Sequence, residues 1–79
     1  METEKQIAER MTVASEAYVR SLLEMLHDAT TSCDAEAIAR FKRCVGLVIG
    51  PMQMNLFDPL YARFPEIEPE EHRKGRHET

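Results

Sequence analysis

Glu24 and His27 are three residues apart, the E-x-x-H spacing with which helical bundles hold a di-iron centre when each remaining helix adds a Glu. Two helical hairpins would supply two such motifs, and Glu36 falls near the same level beyond a turn. That chemistry needs ligands pointing into the bundle. At about 100° per residue, Glu24 and His27 lie on the side opposite Met11, Leu22 and Met25, the stripe expected to face inward. No metal is therefore expected, and His27 reads as a cation complementing a helix carboxyl end, with Glu24 in solvent.

Cys33 and Cys44 are eleven positions apart. On a helix that separates them by roughly 16 Å, whereas a disulfide needs Cα atoms within about 7 Å. They read as free thiols, which suits a reducing compartment. With no C-x-x-C and one nearby His27 they make a poor zinc set. Cys33 sits where a helix amino end would lower a thiol pKa, but a small incidental cysteine explains both positions. The carboxylates Glu66, Glu68, Glu70 and Glu71 fall in a segment with no rigid scaffold, and acid–base catalysis needs one. No Ser-His-Asp or Cys-His constellation is present, and none of the glycines forms a phosphate loop. The sequence thus offers no catalytic residue and no cofactor site.

Charge narrows the partners. A net charge of -4 and a pI near 5.3 oppose nucleic-acid binding, which depends on neutralised phosphates. Arg40, Lys42 and Arg43, and the terminal stretch HRKGR, read as solubilising surface. The stretch CVGLVIGPMQMNLF carries no charge over 14 residues, but a spanning helix needs about 20 apolar residues, and Pro51, Gln53 and Asn55 interrupt this one. No membrane span is expected. The acidic start METEKQIAER has no apolar signal-like region, so a cytoplasmic location is the expectation.

The elements that must position these residues are helical. Thr3 and Gln6 form a capping-box pattern, and Ile7, Met11, Ala14, Tyr18, Leu22, Met25 and Ala29 then follow at spacings of four and three. A long amphipathic helix over 4–29 is predicted, its stripe repeating every eleven residues, which favours nearly straight packing. ATTSCDAE breaks it, with Ser32 or Thr31 expected to cap a second helix whose stripe is Ile38, Phe41, Val45, Val48 and Met52. Ala35, Ala39, Gly46 and Gly50 line one flank where another helix could approach closely. Gly50 and Pro51 should act as a hinge, with Asp58 as a new N-cap, Pro59 at the first helical position and a short helix ending near Phe64. Residues 68–79 read as a disordered charged tail after a helical domain over 1–67.

The expected fold is all-α: an antiparallel helical hairpin with a kinked second helix and a short third one. A domain of 79 residues buries only about 60–65% of its unfolded surface, so an added device is expected to stabilise it. Leu47 projects opposite Val45 and Val48, leaving the second helix apolar nearly all round. Two hairpins are therefore expected to associate as a C2 homodimer, a four-helix bundle, with Val45, Val48, Met52, Leu56, Phe57, Leu60, Tyr61 and Phe64 at the interface. Met52 and Met54 suit the junction. A monomer would instead fold 58–64 back over the hairpin.

VGLVIGPMQMNLFDPLYARFPEIEPEE, about 27 residues, resembles the carboxyl half of small uncharacterised bacterial helical proteins with a DP-L-Y---P-I-PE type ending. The resemblance implies a bacterial cytosolic origin and no activity. The expected function is a non-catalytic protein–protein interaction module, a small homodimeric adaptor or regulator with a further protein partner open. The alternative is a small helical enzyme or ligand-binding protein with a pocket between subunits, drawing on Tyr18, Tyr61 or Arg63.

Overall fold

The structure, a computed structural model, describes residues 1–71. Call α1 the helix Glu4–Ser32, α2 the helix Ala35–Met52 and α3 the helix Asp58–Arg63. A π turn, Gln53–Phe57, joins α2 to α3, and a 3-10 turn, Pro65–Ile67, follows. The described residues contain helices and no strand. The chain is an antiparallel hairpin: Phe41 and Val45 of α2 lie beside Met25 and Ala29 of α1, and Ile49, with Gln53 of the π turn, beside Glu16 and Val19.

The start of α1 follows from its capping box. The Gln6 N–H donates to Thr3 Oγ1 at 3.2 Å, and the Thr3 N–H donates to Gln6 Oε1 at 2.8 Å. The helix runs three residues past Ala29. Thr30, Thr31 and Ser32 turn their hydroxyls back onto the carbonyls of His27 and Asp28, so they close α1 instead of opening α2. The cap of α2 is Asp34, not Ser32 or Thr31: its Oδ1 accepts from the Ala37 N–H at 2.8 Å. A carboxylate there also meets the positive end of the helix dipole.

Gly50 and Pro51 lie inside α2, with no interruption of the helix. Pro51 has no N–H to offer the carbonyl four residues back, and the departure from α geometry comes just after it. The Asp58 N–H donates to the Gln53 carbonyl, five residues back, and both residues keep right-handed helical dihedrals. Asp58 therefore starts no new helix as an N-cap; its Oδ1 accepts from Gln53 Nε2 at 2.8 Å, across the π turn. One extra residue in the turn rotates everything beyond it by about 100°. That rotation carries Phe57 and Tyr61 from the flank of α2 onto α1, where both are buried.

The core is small. Ala8, Ala29, Phe57 and Tyr61 are the buried apolar residues, and no large side chain among the described residues is completely buried. The Cα radius of gyration is 15.2 Å, against about 11–12 Å for a compact domain of this length. The extents of 47 × 35 × 18 Å are those of a slab. A helix with its side chains is about 10–12 Å across, so the slab is thinner than two stacked layers.

Candidate functional site

The inner face of α1 is made of small and polar residues. Ala8 and Thr12 are buried, Ser15, Glu16 and Val19 half-buried, and Leu26 closes the row toward the turn. That composition leaves room for an aromatic ring from α3. Tyr61 fills it, 4% exposed, its ring stacked on Phe57 at 5.9 Å between centroids. Its hydroxyl donates to Glu16 Oε1 at 3.1 Å. Glu68 is also buried and adds its negative charge. Beyond α3, Lys5 pairs with Glu66 at 3.2 Å and Arg63 with Glu4 at 3.4 Å, both in solvent; such pairs contribute about 0–1 kcal/mol each. The Arg63 guanidinium also lies 5.3 Å from the Phe64 ring centroid.

The Tyr61 phenol is pushed up from 10 to about 12, chiefly by burial, then by its bond to Glu16 and the charges of Glu16 and Glu68, against a smaller opposing contribution from Thr12. It stays protonated at neutral pH and serves as a donor, not a base. The folded chain holds this proton more tightly than the unfolded chain. Stability is thus complete below pH 10 and falls as pH rises from 10 toward 12. Allowing for solvent screening, the loss expected is about 1–2 kcal/mol. Urea midpoints of wild type and Tyr61→Phe measured at pH 9 and pH 11.5 should converge at the higher pH; parallel curves would refute the linkage.

Beside this contact runs a groove of about 290 Å³ between α1 and α2, with Val19, Leu23, Ile49 and Phe57 below and Glu16, Arg20 and Gln53 at its edge. It offers one carboxylate, one guanidinium and one amide, with no nucleophile paired to a base. The chemistry-bearing residues of the sequence are not gathered there. Glu24 and His27 sit with Arg20, Leu23 and Asp28 on the outer side of α1. Among the described residues no three His, Cys, Asp or Glu side chains come together as metal ligands would. Cys33 and Cys44 are free and exposed. Tyr18 is exposed, Tyr61 is buried against Glu16, and Arg63 lies in solvent, so these three share no pocket. His72 and the residues after it, with most of the expected tail and the basic HRKGR stretch, lie outside the described residues.

Of the residues expected at an interface, Phe57 and Tyr61 are buried within the chain itself. Val45, Met52, Leu56, Leu60 and Phe64 are half-buried, and Val48 is exposed. The α1 stripe is real but meets α2 only at its turn end, where Leu22 is half-buried and Ala29 buried. Ile7 is 42%, Met11 52%, Tyr18 55% and Met25 64% exposed; the row facing α2 sits one residue along, with Ala8 and Thr12 buried and Val19 and Leu26 half-buried. On α2, Phe41 and Val48 are likewise exposed, while Ile38, Val45, Ile49 and Met52 turn toward α1. Leu22, Met25, Leu26 and Ala29 of α1 border one apolar groove of about 260 Å³ with Phe41, Cys44 and Val45 of α2. By the 100° count the exposed stripes of both helices lie on that same side. The hairpin thus has one broad apolar face, from Ile7 to Met25 on α1 and from Phe41 to Val48 on α2, uncharged around the groove and flanked by Glu9 and Arg10 beside Ala14.

Among the described residues no helix is long and apolar enough to cross a membrane. No family model, curated protein or solved structure matches the chain.

Proposed function

We propose that this chain is a non-catalytic interaction module, a small helical adaptor or regulator that works as a homodimer. One observation carries the reading: among the described residues no large side chain is completely buried, yet Ile7, Met11, Tyr18, Met25, Phe41 and Val48 are exposed on one apolar side of the slab. A contiguous apolar face of this extent is a protein contact surface in soluble proteins far more often than a solvated one. A helical layer this thin gains a two-sided core only by adding a second layer.

The test is the solution mass by light scattering on a sizing column, loaded over a hundredfold concentration range. The expected result is twice the chain mass of 9.1 kDa at the upper end, with dissociation on dilution. A constant monomer mass with intact helical circular dichroism would refute the homodimer.

A further inference from the structure

The apolar stripe of α1, exposed except at Leu22 and Ala29, has a symmetry that selects an occupant. Its positions, 7, 11, 14, 18, 22, 25 and 29, are separated by steps of 4, 3, 4, 4, 3 and 4, a series that reads the same in both directions about Tyr18. A helix with such a stripe can lie antiparallel on a second copy of itself, with a two-fold axis at Tyr18, and every stripe position then shares a layer with another. Ile7 meets the level of the partner's Ala29, Met11 that of the partner's Met25, and Ala14 that of the partner's Leu22. Large residues fall opposite small ones in two of these layers, as interdigitating packing requires.

The relief of the face agrees. The groove bordered by Leu22, Met25, Ala29, Phe41 and Val45 lies near the turn end of the hairpin, and the protruding Ile7 and Met11 lie near the other end. A two-fold axis across the middle of α1 brings the protrusions of each copy over the groove of the other. An axis parallel to the helices would set groove against groove and leave both unfilled. The eleven-residue period keeps the stripe on one side along its length. From Ile7 to Ala29 the stripe is roughly 33 Å long, and Phe41 to Val48 adds roughly 10 Å of α2; at one helix width each this is on the order of 450 Å² per copy, the size of a contact that dissociates on dilution. The groove and the stripe residues themselves are uncharged, so one copy meets no like charge at the centre of a two-fold contact with another.

We infer that a second copy of this chain covers the apolar face, α1 lying antiparallel on α1 with Tyr18 at the two-fold axis. The inference rests on the homodimer proposed above and adds its surface and register. Met11→Glu, Met25→Lys and the double variant are compared with wild type by light scattering and sedimentation, with circular dichroism as the control for folding. Each single substitution should weaken association at least about 100-fold, because it places an unpaired charge in an apolar contact. The double variant should return to within about tenfold of wild type, since the introduced carboxylate and ammonium share a layer across the axis. Wild-type monomer at every concentration would overturn the homodimer itself. A wild-type dimer indifferent to the single substitutions would leave the homodimer standing and overturn this face. Single effects without recovery in the double variant would overturn the antiparallel register. A second readout does not depend on dissociation. Tyr18→Cys, in a chain with Cys33→Ser and Cys44→Ser, should give a covalent dimer under mild oxidation, because a disulfide forms only where Cα atoms approach within about 7 Å. Val13→Cys, exposed on another side of α1, should not; no cross-link at position 18, or an equal one at 13, would overturn the placement of the axis.

Discussion

Tyr61→Ala should cost about 3–5 kcal/mol and sharply lower the urea midpoint near neutral pH. Truncating a buried aromatic removes its transfer free energy and leaves a cavity, and Tyr61 is among the most buried residues of the molecule. The same substitution removes the donor to Glu16 and the ring on which Phe57 stacks. The total stability of a chain of 79 residues is about 4–12 kcal/mol, so the loss is a large share of it. Tyr61→Phe keeps the ring and should cost only about 1.5–3 kcal/mol, the value of a hydrogen bond to a charged acceptor. Urea titrations followed by circular dichroism separate the two. A Tyr61→Ala variant with a midpoint close to that of Tyr61→Phe would mean that α3 does not hold the open end of the hairpin.

That open end was also the least legible part of the sequence. The start of α1 could be read because Thr3 and Gln6 satisfy each other's backbone donors locally, and local chemistry is what spacing encodes. The stripe from Ile7 to Met25 could be read as a stripe, but hydropathy does not say whether a stripe faces the hairpin partner or a second chain. Here the partner-facing row is Ala8, Thr12, Glu16 and Val19, a row that looks like solvent surface until a tyrosine arrives with a hydroxyl needing an acceptor. The i, i+4 run of small and polar residues beside an apolar stripe was the available signal. The π turn had none beyond Pro51, because a single extra residue changes hydrogen-bond register without any preference of its own residues for it. Without it Phe57 and Tyr61 would be placed on the flank of α2, which is why they were expected at an intermolecular interface. Glu68, assigned to a tail by its prolines and charges, is buried beside Tyr61 for the same tertiary reason.

Gly46→Ala should raise the melting temperature, and Gly50→Ala should do so much less. Both glycines sit in α2 with no positive φ, and a Cβ at either position would meet nothing within 4 Å. Among the described residues no helix packs on the flank at these two glycines. A helical glycine with free space beside it costs about 0.5–1 kcal/mol relative to alanine, and in a domain of this size 1 kcal/mol moves the midpoint by about 4–8 °C. Gly46→Ala should therefore gain about 2–8 °C. At Gly50 the following proline crowds any residue with a Cβ in the helical region, which offsets the gain and leaves a change near zero. The flank lies on the other side of α2 from Phe41 and Val48, so neither substitution should alter association. Differential scanning calorimetry with light scattering at matched concentrations reads both quantities. A Gly46→Ala chain that melts higher and assembles as before leaves the apolar face as the contact. One that melts lower because it no longer assembles would place a second copy against the glycines and move the interface to the opposite side of the hairpin.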